Sequence, residues 1–157
     1  NRPELQDLDL RLQDTAVGDG TAEALGRSLR VLSKLTKADI SLYNTKLTDA
    51  GGEALIAGFF GKELQDLDLR LHGTSVADKT GLALGKFLSS CGKMTKLFLS
   101  LAETRITDPV AESIANGLIV LPLLTTIVLA FRGTVVSREC VDGVKLKLKR
   151  PGLTIIY

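Results

Sequence analysis

Tryptophan is absent from the 157 residues, and aromatic side chains make up 4% of them. So few rings cannot build the stacking platform on which single-stranded nucleic acids lie. Net charge is equally thin: 20 basic against 18 acidic residues leave +2 at neutral pH. Neither a nucleic acid nor an anionic membrane surface finds a strong field to follow. No apolar run approaches the roughly 18 residues that span a bilayer, although 45% of the residues are hydrophobic and the mean hydropathy is +0.19. The two cysteines, Cys91 and Cys140, are too few for a disulfide scaffold and match no metal-ligand spacing. Free thiols in a reducing, cytoplasmic compartment are expected. Asn1 opens the chain in place of Met, with no targeting-like apolar segment behind it, and is read as a processing site or a cut within a longer chain.

What the chain does contain is repetition. The phrase Leu5-Gln-Asp-Leu8-Asp-Leu10-Arg-Leu12 recurs from Leu35, Leu64, Met94 and Leu124, and a partial sixth copy is read from Leu153. Self-similarity at a steady period of about 30 residues marks stacked units, each too small to bury its own apolar face. Within each copy three apolar residues alternate with polar ones, the period of a strand with one buried face. The triplets are Leu8, Leu10, Leu12; Ala38, Ile40, Leu42; Leu67, Leu69, Leu71; Leu97, Leu99, Leu101; and Ile127, Leu129, Phe131.

Three places past each triplet stands a threonine (Thr15, Thr45, Thr74, Thr104, Thr134), suited to bond backbone groups where the chain leaves the sheet. An aliphatic residue follows two places on, then Asp19, Asp49, Asp78 or Asp108, read as helix N-caps. Pro109 fits a first helical position. Small residues Ala22, Gly52, Gly81 and Ala111 predict close approach between helices, while Leu29, Phe59, Leu88 and Leu118 fill the core. The fifth copy drifts, with Ser137 or Arg138 where the aspartate should be, and ends in the basic tail Lys145, Lys147, Lys149, Arg150 before Pro151-Gly152. Those cations are read as complementing a helix terminus.

One strand per repeat, with a crossover helix between, gives parallel strands in sequence order. Helices are wider than strands, so the stack bends with the sheet on its concave face. The expected fold is an α/β curved solenoid of about five and a half repeats, forming one domain over residues 1–157.

The phrase L-x-x-L-x-L-x-L-x-x-T-x-(V/L/I)-x-D, followed by an Ala/Gly-rich helix, resembles a leucine-rich repeat. Its length and full helix are similar to the ribonuclease-inhibitor-like subclass, especially the protist-type repeats with an extra strand leucine. The resemblance covers essentially the whole chain. It implies a horseshoe segment that binds other proteins, and it implies no activity. The Asn or Cys common at the strand-to-loop turn is Thr in all five copies, and neither terminal copy shows a polar cap, as in a fragment or a short array. Alternate copies are the more alike: Glu4–Leu12 and Glu63–Leu71 both read ELQDLDLRL, a superperiod of two repeats.

Strand residues between the buried ones form columns across the open face. One runs Asp7, Lys37, Asp66, Lys96, Thr126, in alternating charge. The next runs Asp9, Asp39, Asp68, Phe98, Val128, and its three carboxylates repel unless Arg11 and Arg70, flanking Ser41 in the column beside them, offset the charge. These carboxylates are read as an Asp–Arg network or a site for a basic partner surface, not as a metal site: strand side chains converge poorly and no His joins them. A further column, Gln13, Tyr43, His72, Ala102, Arg132, holds the anchor residues Tyr43, His72 and Arg132. No nucleophile is seen in register with His72. Phe98, Val128, Ala102 and Ala130 are expected as an exposed apolar patch, and Ile155 and Tyr157 as an edge open to pairing.

The expected function is a protein–protein interaction scaffold, with no cofactor, no nucleic acid or membrane partner, and no enzyme chemistry. The alternative is a structural spacer of a larger repeat protein, with weak self-association through terminal strands. A role in regulating small GTPases follows from the resemblance alone.

Overall fold

A computed structural model describes residues 5–149 and 151–157, so Asn1, Glu4 and Arg150 lie outside the described residues. Strands and helices alternate throughout: β1 (Asp7–Arg11), α1 (Asp19–Val31), β2 (Lys37–Ser41), α2 (Asp49–Phe59), β3 (Asp66–Arg70), α3 (Asp78–Leu88), β4 (Lys96–Ser100), α4 (Asp108–Ile119), β5 (Thr126–Ala130), α5 (Arg138–Leu148) and β6 (Leu153–Ile156). The strands form one parallel sheet in sequence order. Strands lie about 4.8 Å apart and packed helices about 8–10 Å, so the stack curves with the sheet inside. Among the described residues no helix is long and apolar enough to cross a membrane.

The alternating triplets face the helices, and from β2 to β5 all are buried. Those of the first copy, Leu8, Leu10 and Leu12, are only partly buried, because a solenoid strand is covered by neighbours on both sides and β1, among the described residues, has one. The sixth copy sits differently from its sequence reading. Leu153 pairs with Ile127, not Leu124. It is therefore a first triplet residue that arrives earlier than the period would place it, and the last connection is shorter than the others. Ile155 consequently turns toward the core, and Ile156 takes the open side, 46% exposed beside Tyr157.

The threonines behave as expected: each hydroxyl donates to the carbonyl of the last triplet residue, at 2.5 to 2.7 Å. One residue earlier the backbone is left-handed in every copy, at Asp14, Asn44, Gly73, Glu103 and Gly133 (φ 57, 53, 65, 55 and 72°). Glycine takes that conformation freely and Asn or Asp at modest cost; Glu103 is strained there.

The aspartates are not caps of their own helices. Gly18, Thr48, Ala77 and Thr107 occupy the N-cap positions, and each aspartate is the first helical residue. Its carboxylate reaches the next repeat. Asp19 accepts from the amide and hydroxyl of Thr48 (2.8 and 2.6 Å), Asp78 likewise from Thr107 (2.9 and 2.7 Å), and Asp108 from Ser137 (2.6 and 2.8 Å). Asp49 takes the amides of Ala77 and Thr80 and the buried Thr80 hydroxyl (2.8, 3.1 and 2.7 Å). Each carboxylate thus satisfies free N–H groups at the start of the following helix. Burial pushes the pKa of Asp19 and Asp49 up, but the hydrogen bonds from the next repeat outweigh it, and both end below the usual carboxylate range. In α5, Ser137 is the N-cap, accepting from the Cys140 amide at 3.1 Å.

Candidate functional site on the open face of the sheet

Parallel pairing without a bulge keeps every column in register. Asp9, Asp39, Asp68, Phe98 and Val128 stand on neighbouring strands at one level, and Arg11, Ser41, Arg70, Ser100 and Ala130 at the next. The level of Gln13, Tyr43, His72, Ala102 and Arg132 lies just past the strand ends, where the ladder continues: the Asp14, Asn44, Gly73 and Glu103 amides donate to the Tyr43, His72, Ala102 and Arg132 carbonyls. All ten expected site residues therefore share one surface.

Arg11 grips Asp9 with two hydrogen bonds (2.9 and 3.1 Å) and reaches Asp39 Oδ2 at 3.4 Å. Arg70 grips Asp68 the same way (2.9 and 2.6 Å). Its guanidinium also lies 5.1 Å from the centre of the Phe98 ring, within cation–π range. Two arginines thus serve three carboxylates, and Asp39 gets the weakest share. Its Oδ1 is enclosed and has no hydrogen-bond partner among the described residues. Burial, then the neighbouring Asp68 carboxylate, raises the Asp39 pKa against the pull of Arg11 and Arg70. A hollow of about 240 Å³ opens here, lined by Asp7, Lys37, Ala38, Asp39, Asp66 and Asp68. The Asp7–Lys37–Asp66–Lys96 column is in register as expected, yet among the described residues its side chains form no ion pair.

Tyr43 and His72 stack face to face, 4.3 Å between centroids and 12° from parallel. His72 Nδ1 is 3.1 Å from Ser100 Oγ. A hydroxyl does therefore stand beside the only histidine, on the neighbouring strand and two places before the Gln13–Arg132 column. Ser100 is only 6% exposed. The contact helps to fix the orientation of the imidazole, which Tyr43 stacks from the side of the neighbouring repeat. Burial lowers the His72 pKa; Glu103 and Asp14 pull it back up, and Arg70 adds to the lowering. Neutral imidazole is the form this setting favours near pH 7.

The apolar end of the face is less open than expected. Phe98, Val128 and Ala102 are half-buried and Ala130 is buried, while Arg132 is exposed. More exposed there are Ile156, paired beside Ala130, and Tyr157 after it.

The thiols are free and lie away from this face. Burial pushes Cys91 up to about 12 and Cys140 to about 11, so neither is a ready nucleophile. Among the described residues no group of three or more His, Cys, Asp or Glu side chains is placed to hold a metal ion. No protein-family model matches the chain, and a search of curated proteins finds no match.

Proposed function

We propose that this chain is a protein-binding scaffold of the leucine-rich-repeat type, of the ribonuclease-inhibitor-like subclass, that takes its partner on the sheet face. The period, the strand leucines and the unbroken strand–helix alternation support the family reading. The observation that carries the binding reading is the row Asp9, Asp39, Asp68: three neighbouring carboxylates served by two arginines, with Asp39 held only by Arg11 at 3.4 Å and lining a hollow of about 240 Å³. A basic side chain from a partner, entering that hollow, supplies the counter-charge the row lacks. Tyr43, His72 and Arg132 are anchor types beside it, and the Tyr43–His72 stack holds two of them in place before binding. The role is recognition without chemistry, inside the cell.

Affinity capture from a cell lysate, read by mass spectrometry, tests this with the native chain and an Asp39→Lys twin. The expected result is a partner held by the native chain and lost, or weakened more than about tenfold, with the twin, since like charge at a desolvated contact is strongly unfavourable. Equal capture by both places recognition elsewhere. Specific capture by neither transfers the lead to the structural-spacer reading.

A further inference from the structure

The helical face carries one anomaly. At the fifth residue of each helix stand Glu23, Glu53, Leu82, Glu112 and Asp142, four acids and one leucine. Leu82 is 40% exposed. The neighbouring α2 is C-capped by Phe60, also exposed, at 46%. The Phe60 ring meets buried Phe87 edge-on at 5.7 Å, which holds it in place. Between α2 and α3 these two residues line a hollow of about 440 Å³ with Ala57 and Ala83. Its rim is charged: Glu53 on the α2 side, Lys79 and Lys86 on the α3 side. No other helix has lysine at both of those positions; the equivalents are Gly20 and Arg27, Ala50 and Ala57, Pro109 and Asn116, and Glu139 and Leu146. Neither lysine forms an ion pair among the described residues. Seven residues on a helix span about 10.5 Å, so the two cations mark one edge of the groove two turns apart.

We propose that the α2/α3 groove is a second docking surface, whose occupant is an acidic amphipathic helix of another protein. Its apolar stripe lies on Phe60 and Leu82, and carboxylates two turns apart meet Lys79 and Lys86. Small Ala57 and Ala83 admit the helix between two apolar anchors, the arrangement by which grooves take amphipathic helices. Charge sets the sign of the partner: two unpaired cations on one rim against a single carboxylate on the other. This surface lies opposite the sheet face and does not depend on Asp39.

The probe is a displayed library of helix-forming peptides about 16 residues long, near the length at which an isolated helix begins to hold. It is panned against the native chain and counter-selected on Leu82→Glu, which restores the acid found at that position elsewhere. Enriched peptides should share an apolar stripe with acidic residues two turns apart. The best of them, made synthetically, should bind about tenfold more weakly to Leu82→Glu and to Phe60→Ser. It should bind several-fold more weakly to the Lys79→Glu, Lys86→Glu pair, and unchanged to Asp39→Lys. All these sites are solvent-facing or half-buried, and circular dichroism of each variant checks that the fold is kept. Enrichment of basic or uncharged peptides, or binding indifferent to Leu82, overturns the proposal, as does failure to enrich any Leu82-dependent sequence.

Discussion

Two kinds of helix–helix seam alternate along this molecule. Between α1 and α2, a Cβ added at Gly58 would sit 2.5 Å from the Gly26 carbonyl oxygen, and one at Gly26 would sit 2.2 Å from the Ala54 carbonyl. Between α3 and α4 the same seam returns two repeats on, with a Cβ at Gly117 placed 2.6 Å from the Gly85 carbonyl. These helices meet backbone to backbone. Between α2 and α3, and again between α4 and α5, the helical surface opens instead into hollows of about 440 and 480 Å³. The two-repeat superperiod thus has a counterpart in the packing of the helices. It sets helix spacing, and with it where the outer surface can admit a ligand: repeats close in pairs and open between pairs.

The comparison can be broken from the closed side. Gly58→Ala should destabilise the chain by about 3 kcal/mol, because a methyl group has nowhere to go against a carbonyl; urea unfolding would read it as a lower midpoint at unchanged slope. Next in size is Asp49→Ala, which crosses an open seam and leaves the buried Thr80 hydroxyl and two amides short of an acceptor, at about 2 kcal/mol. Its pH dependence follows from sign. The folded pKa of Asp49 lies below the unfolded value, so its stabilisation is complete above about pH 4 and is lost as pH falls through the depressed folded value. The native chain should lose stability there more steeply than Asp49→Ala.

Smaller effects sharpen the contrast. Glu103→Gly should stabilise by about 1 kcal/mol by relieving the left-handed backbone. Gly143→Ala should stabilise by about 0.5–1 kcal/mol, since Gly143 lies in an open seam with nothing among the described residues within 4 Å of an added Cβ. Two glycine-to-alanine changes of opposite sign, at Gly58 and Gly143, would separate the seams by thermal melts alone.

Much of the fold was legible because strand period and repeat period are both local counts. The triplets, the threonine bonds and the columns followed from them, and the Asp–Arg pairing followed from the columns. The aspartates were misread by one position: a carboxylate at the first helical residue looks like a cap until its partner, a whole repeat away, is seen. The left-handed turn was hidden by the unlike residues that fill it. Asp39 was legible as one of three equal carboxylates but not as the most weakly held one, because that depends on which rotamers Arg11 and Arg70 adopt. The Ser100–His72 contact is not legible in the sequence because Ser100 lies two places outside the histidine's column. The outer hollow was invisible, since groove width is a property of two helices and not of either sequence.

Native-state hydrogen exchange tests the pairing of repeats most directly. The slow amides of α1 and α2 should open with one shared free energy and those of α3 and α4 with another, with a step between α2 and α3. A single value shared by α2 and α3, with α1 or α4 separate, would contradict it.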